Sequence, residues 1–364
     1  RGGTAMEKRS TKRLKGKAPD IGKRDRVFVG LDVHKRSIHA AVRINGQELG
    51  SAVLPAEAKA VLKFPEPYRP GLKSVVYEAG PTGYGLLRAL RKAELPASVV
   101  APGKIPRPAV SAAKSDQLDC KMLAEFAEKD LLHEVGIPTL QEEEDRQIQR
   151  QRDSTLKRRR QTKQRIRGLL LQHNLPEPEG LEGWGRKSLL VLQKMPLSLG
   201  LRFSLDLLLE DLYHLQDQMD RINQRLKKLA KEQRYARAAE RLKTHPGVGD
   251  VTCMQVLTEL YQPERFENSK QVAAYVGLAP QVRQSGETHK EGPLLRGGRG
   301  ALRATLVEAA WSWLRHDKLA AKLYGRLVKN TGSGKKAIVA MARKLVVHLW
   351  TMLVCKQDYR PLAA

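Results

Sequence analysis

Four acids in the first third of the chain stand where a carboxylate is costly unless it is used. Asp32 sits inside Val29-Gly30-Leu31-Asp32-Val33, a run otherwise free of polar side chains, and Glu78 closes Ser74-Val75-Val76-Tyr77. Asp116 and Asp119 are three residues apart, so a helix presents both on one face. A carboxylate buried in an apolar strand costs free energy unless something pairs with it. Divalent cations are such a partner, because hard ions gather several carboxylate oxygens. Two metals about 3.5–4 Å apart can activate a nucleophile and stabilise the leaving oxygen in phosphodiester chemistry. Singly, each acid has a plainer use: a strand-end Asp caps a turn, and Asp116 suits the start of a helix. Their conjunction is what points to a metal-assisted site.

A hydroxyl is the second candidate. Ser285 precedes Gly286 in the irregular stretch from Gly277 to Gly300, with Arg283, Lys290, Arg296, Arg299 and Arg303 close in sequence. A serine hydroxyl becomes a nucleophile only when its proton is removed or its target is polarised. Arginines suit the charge that builds on a phosphorane-like transition state. Ser-Gly alone is a turn signal, and the cations alone read as ordinary phosphate binding.

The charge balance widens the case. The 364 residues carry a formal net charge of +27. Such a charge repels itself unless a polyanion neutralises it, and nucleic acid is the default polyanion. No apolar run approaches the roughly 20 residues of a spanning helix, so a membrane partner is not expected. The first residues lack a signal-peptide core. Cys120, Cys253 and Cys355 have no metal-ligand spacing, which excludes a zinc site and fits a reduced cytoplasm. Aromatic residues make up 5%, too few for a surface that stacks many single-stranded bases.

Residues 1–26 hold ten Lys or Arg against three acids and read either as a phosphate-touching arm or as a solvated tail. Residues 27–138 then follow the order βββαβαβα. The strands are Val27–Val33, Ser37–Ile44, about 48–54, 74–78 and 97–101, with Asn45-Gly46 as a hairpin turn. Helices follow near 56–64 and 84–93, and a third begins at the cap Ser115 and runs to about Lys129. Strands first and alternation afterwards is what an RNase H-like α/β domain requires.

Residues 139–238 predict a helical arm. Between Arg146 and Arg167 lie ten Lys or Arg and one acid, Asp153. This is expected to be an exposed cationic helix, with Arg146, Arg150, Lys157, Arg158, Arg159, Arg160, Lys163 and Arg165 facing phosphate. Leu205, Leu208, Leu212, Leu215, Met219, Ile222, Leu226 and Leu229 alternate steps of three and four, the seam of a coiled coil. Its partner is either the cationic helix folded back or a second subunit. Residues 239–358 predict a mainly α domain, with helices at 251–260, 270–276, 302–314 and 335–355. In His245-Pro246-Gly247-Val248-Gly249, Gly247 and Gly249 either grip a phosphate at a helix start or make a plain helix–helix turn. Gly332-Ser333-Gly334-Lys335-Lys336 lacks P-loop spacing and is expected to be a loop before the last helix.

Gly30-Leu31-Asp32-Val33-His34-Lys35, Glu78-Ala79-Gly80-Pro81-Thr82-Gly83-Tyr84 and Lys114-Ser115-Asp116-Gln117-Leu118-Asp119 together resemble the DEDD transposases of the insertion-sequence one-ten family, the bridge-RNA-guided recombinases. Pro246-Gly247-Val248-Gly249, Ala274-Tyr275-Val276-Gly277-Leu278-Ala279-Pro280 and Ser285-Gly286-Glu287 extend the likeness over most of residues 27–350. The resemblance implies a RuvC-like domain whose Asp32, Glu78, Asp116 and Asp119 bind Mg²⁺ (or Mn²⁺). It implies that Ser285 forms a transient phosphoserine with DNA. It further implies a non-coding bridge RNA pairing with double-stranded donor and target DNA. A dimer or tetramer is implied, the serine domain of one subunit meeting the carboxylate domain of another, in a prokaryotic, nucleoid-associated protein. The chain departs from the family at Gln284, where a second serine often stands, and in Gly-Pro-Leu-Leu-Arg-Gly-Gly-Arg-Gly from Gly292 to Gly300. A metal-dependent nuclease, an RNA-independent DNA invertase and a non-enzymatic nucleic-acid scaffold are the competing expectations.

Overall fold

The computed structural model describes residues 19–106, 116–285, 288–295 and 297–361. Most of the basic N-terminal arm, and the cap Ser115, lie outside the described residues. The chain forms two compact units that divide between Ile137 and Pro138. The helical arm and the C-terminal helices, expected as separate domains, belong to one unit.

In the first unit five strands form one sheet in the order β3-β2-β1-β4-β5. They are β1 (Val27–Val33), β2 (Ser37–Ile44), β3 (Gln47–Pro55), β4 (Leu72–Glu78) and β5 (Ala97–Val100). β1 pairs antiparallel with β2 and parallel with β4, and β4 pairs parallel with β5. Asn45 and Gly46 both have positive φ (49° and 84°), as the tight turn joining β2 and β3 demands. β1 is central, and its first five residues are buried because helices cover both of its faces. Val27, Val29 and Leu31 face a core shared with α1 (Ala58–Lys63) and α2 (Gly85–Lys92). The opposite face receives α3 (Asp116–Glu128), with Leu123 packed on Val76 and Val100.

In the second unit α4 (Leu140–Gln172) starts on a capping box. The Thr139 hydroxyl accepts from the Glu142 amide, and the Glu142 carboxylate accepts from the Thr139 amide. α5 (Arg186–Lys194) leads to α6 (Leu199–Leu229), which returns antiparallel to α4. Their register is fixed by Arg152 donating to Asn223, Arg158 to Gln218 and Arg159 to Gln216, at 3.0, 2.9 and 2.7 Å. Within this chain, then, the partner of the leucine seam is the cationic helix. Leu205, Leu212, Leu215, Met219, Leu226 and Leu229 are buried as expected, while Leu209 is buried more deeply than its neighbour Leu208.

The lower end of α6 enters the core of α7 (Gln233–Lys243), α8 (Asp250–Glu259), α9 (Ser269–Val276), α10 (Gly300–His316), α11 (Lys318–Thr331) and α12 (Gly334–Val354). α12 corrects the expectation about apolar runs, because by length and composition it could cross a membrane. Ile338, Met341, Leu345, Val346 and Leu349 instead line this core, which accounts for its hydrophobicity. The stretch expected to be irregular is a hairpin, β6 (Pro280–Ser285) with β7 (Thr288–Leu294). Alternating polar residues hid it, since neither strand has an apolar face to announce it.

Candidate active site and nucleic-acid surface

Two of the carboxylates, Asp32 and Glu78, are placed by strand register. In the parallel β1–β4 ladder Gly30 lies beside Val76 and Leu31 beside Tyr77. Asp32 and Glu78 come one step further, at the same end of the sheet. Adjacent strands are about 4.8 Å apart and side chains alternate between faces, so Asp32 and Glu78 share the face that carries Gly30 and Val76. That is the face α3 covers. A side chain at Gly30 would strike the Cys120 carbonyl oxygen at 2.1 Å and the Ala124 nitrogen at 2.6 Å, so only glycine lets the helix lie this close.

The direction of α3 decides where its acids go. Glu128, at its last residue, accepts from Arg43 Nε at 2.9 Å and from the Gly46 amide at 2.7 Å. Both donors sit beside the start of β1, since Val27 pairs with Ile44. α3 therefore runs opposite to β1, and its first turn, with Asp116 and Asp119, points toward the Asp32 and Glu78 end. Charge agrees with this direction: burial first, and then the negative Asp32, push the Cys120 thiol up to about 12. Asp119 is half-buried, and the Asp116 side chain lies outside the described residues.

Asp32 has a neighbour that the sequence analysis did not single out. His34 Nε2 lies 3.0 Å from its Oδ2, with the Asp32 side chain 20% exposed. The signal was the i, i+2 spacing across the strand end. Glu78 is exposed at the strand terminus. Among the described residues, no three His, Cys, Asp or Glu side chains close on one point as metal ligands. The donors are nonetheless carboxylates gathering at one sheet end, the chemistry a hard divalent cation takes.

The serine lies in the other unit. Ser285 is the last residue of β6 and pairs with Thr288, so it occupies the turn end of the hairpin. Arg283 and Lys290 are direct cross-strand partners two rungs behind it. The side chains of residues 282–291, and all of Arg296, lie outside the described residues. Arg299 is not at this end. Its amide donates to the Tyr275 carbonyl at 3.3 Å, and its Nε reaches Glu259 at 3.3 Å, which places it at the hairpin's foot. That foot is a backbone-on-backbone crossing. Gly277 and Gly298 have φ of 79° and 96°, and a side chain on either would strike the opposing loop at 2.5 or 2.6 Å.

The expected phosphate contacts divide. Arg150, Lys157, Arg158, Arg160 and Arg165 are exposed, and Arg159 is half-buried. Lys163 sits 5.0 Å over the Trp184 ring, and burial lowers its pKa. Arg146 is a correction: its side chain is 2% exposed, 3.3 Å from Glu259 and stacked on Tyr261, so it holds α4 to α8 instead of facing nucleic acid. Gly247 is another. It is buried, its amide donates to His245 Nδ1 at 3.2 Å, and a side chain there would meet Ala309 and Trp313 of α10. Close packing is its purpose. Gly249 is exposed at the start of α8, but Asp250 follows it and pairs with Lys243, which opposes an anion.

The family follows from comparison with known proteins. Residues 29–175 match a DEDD transposase model of the IS110 type, and residues 239–325 match the model described as Transposase IS116/IS110/IS902 family. A putative transposase of Sinorhizobium fredii, y4rJ, is 30% identical over 76% of each chain. The chain belongs to the IS110 transposase family. A second Sinorhizobium fredii putative transposase, y4qE, is 26% identical over 89% of this chain and 88% of its own length. The transposase for insertion sequence element IS1111A of Coxiella burnetii is 26% identical over 73% of each chain. The first match spans β1, β4 and α3, and so the four acids. The second spans the Ser285 hairpin.

Proposed function

We propose that this transposase cuts and rejoins DNA through a phosphoserine on Ser285, assisted by Mg²⁺ (or Mn²⁺) at Asp32, Glu78, Asp116 and Asp119. The observation that carries the reading is the parallel β1–β4 register, which brings Asp32 and Glu78 to one face and one end, under the first turn of α3. The strand order, with two antiparallel neighbours on one side of β1 and two parallel ones on the other, supports an RNase H-like, RuvC-like domain. The antiparallel α4–α6 pair, with its three-four leucine steps, supports a coiled-coil arm.

The chemistry balances without an outside energy source. Ser285 Oγ attacks phosphorus, its proton leaves to a base, the Oγ–P bond forms and the P–O bond to one sugar breaks, the freed sugar oxygen taking a proton. A hydroxyl of the second DNA then attacks phosphorus and releases the serine, so each broken diester is replaced by another. Bound divalent ions would supply charge stabilisation for the attacking and leaving oxygens. The protein's part is to gather carboxylates on a rigid sheet end and carry the hydroxyl on a hairpin tip. A second copy supplies the partner unit in a dimer or tetramer, and a bridge RNA pairs with donor and target DNA. Few base contacts from protein are then needed, in keeping with 5% aromatic content.

Ser285→Ala and Asp32→Asn should each abolish strand exchange while nucleic-acid binding persists. Normal recombination by Ser285→Ala ends the serine assignment. Cleavage without a trappable protein–DNA adduct favours a metal-dependent nuclease, and activity indifferent to chelation removes the metal. Sequencing the nucleic acid that co-purifies with the protein tests the RNA guide, and its absence in an active preparation favours an RNA-independent invertase.

A further inference from the structure

A second concentration of exposed positive charge in the second unit lies outside the arm. From Arg315 to Lys356 the sequence holds ten Lys or Arg and one acid, Asp317. That acid is occupied: as the cap of α11 it accepts from the Leu319 and Ala320 amides, and also from Trp313 and Tyr359. At 100° per residue, Lys318, Lys322, Arg326 and Lys329 fall within an arc of about 80° on α11. All four are exposed, and none has an ion pair among the described residues. The opposite arc, with Leu323, Tyr324 and Leu327, packs on the core. The stripe spans roughly 16 Å at 1.5 Å per residue.

Gly325 lies midway along the length of this stripe and flanks it, about 20° outside Lys318 on the helix circumference. Glycine destabilises a helix interior relative to alanine, so it needs a reason to be there. Packing is not the reason: a side chain at Gly325 would meet nothing within 4 Å. Its φ is not in the left-handed range either. A merely solvated face would gain stability from alanine. A face that must approach another molecule closely would lose contact by it.

We propose that the exposed face of α11, with Lys318, Lys322, Arg326 and Lys329 beside a gap at Gly325, seats the phosphate backbone of duplex DNA. The stripe carries cations and no aromatic ring, so it offers charge without base stacking, which suits a duplex and not a splayed strand. Arg326, Lys329 and the first turn of α12 (Lys335, Lys336) lie beyond residue 325, where the family match ends. The proposal uses neither Ser285 nor the carboxylates, so it stands or falls apart from the catalytic reading.

Two variants of the full chain test it, with binding of a 5′-labelled duplex of about 40 base pairs followed by anisotropy across salt concentrations. Each phosphate contact contributes about 0.9 to the slope of log K against log salt. K318Q/K322Q/R326Q/K329Q should therefore flatten the slope by about 3 and weaken binding at least tenfold at 100 mM salt, roughly what losing several contacts implies. Gly325→Ala should raise the melting temperature by about 2–4 °C while weakening duplex binding several-fold. Since alanine favours the helix, this second result survives any folding defect in the first variant. An unchanged slope in the quadruple variant, or Gly325→Ala binding duplex as tightly as wild type, overturns the proposal. Loss of binding to single-stranded RNA with duplex binding intact also overturns it and assigns the face to RNA.

Discussion

α4 and α11 are both rich in lysine and arginine, and they divide that charge differently between the fold and the surface. α4 packs along α6 over most of its length. Arg146 is buried against Glu259, Arg152, Arg158 and Arg159 donate to side chains of α6, and Arg167 lies 3.5 Å from Glu177. Three of its cations thus tie it to α6 and two more have acidic neighbours elsewhere, while Arg150, Lys157, Arg160 and Arg165 stay exposed. α11 is less than half as long, and its four stripe cations pair with nothing among the described residues. Charge density along a sequence therefore measures supply. What is left for a ligand depends on the acceptors that the fold brings alongside, and only tertiary structure shows those.

The largest expected effect separates the core beneath α11 from the charges on its surface. His245 is buried among Trp313, His348 and Tyr359, and burial lowers its pKa to about 3. The ordinary value is about 6.5, so between these limits the unfolded chain binds more protons than the folded one. Stability should thus fall as pH drops through that window, by on the order of 3 kcal/mol at pH 4, and show no such dependence above about pH 7. Lysine and arginine keep their charge throughout. Loss of DNA binding on acidification should therefore track unfolding measured by circular dichroism, and loss from a still-folded protein would contradict the comparison.

Next in size is Arg146→Ala. It leaves Glu259, 8% exposed, without one of its two arginines, and should cost about 3 kcal/mol in chemical denaturation. Lys322→Ala on α11 should stay within about 0.5 kcal/mol of wild type. Similar losses for the two would erase the distinction between spent and free charge. Smaller still, replacing Arg158 and Arg159 together by Gln should flatten the salt slope by less than replacing Lys322 and Arg326 does. The smallest effect is the reverse experiment: Gln216→Ala with Gln218→Ala frees both arginines and should tighten duplex binding by no more than about twofold. Weaker binding would show that the glutamines present the arginines to DNA and do not compete for them.

The contrast also marks what was legible beforehand. β1 and β2 have the boundaries expected from their β-branched runs, and Asn45-Gly46 turns where that pair must. The α6 seam was readable because a three-four step has one helical meaning. Asp32 and Glu78 were readable as odd residues in apolar strands, but their common face needed the β1–β4 register, which no local pattern carries. Arg146 and Gly247 were misplaced because their partners, Glu259 and α10, are distant in sequence. α11 was overlooked although its signals were present. Leu319, Leu323 and Leu327 step by four, Asp317 caps the start, and Gly332 ends the helix with φ of 63°. The four cations among them masked the apolar rhythm.

The glycine crossing at the foot of the Ser285 hairpin has a mechanical consequence. The ribbon from Pro280 to Ser285 is a boom of about 17 Å at 3.3 Å per residue, rooted where Gly277 meets Gly298. A change of about 10° at that root displaces the far end by roughly 3 Å, while a serine acting as proposed must be set to within about 1 Å. Aim is thus governed far from the tip. A single methyl group added at Gly298 should shift the tip while Ser285 and its neighbours keep their identity.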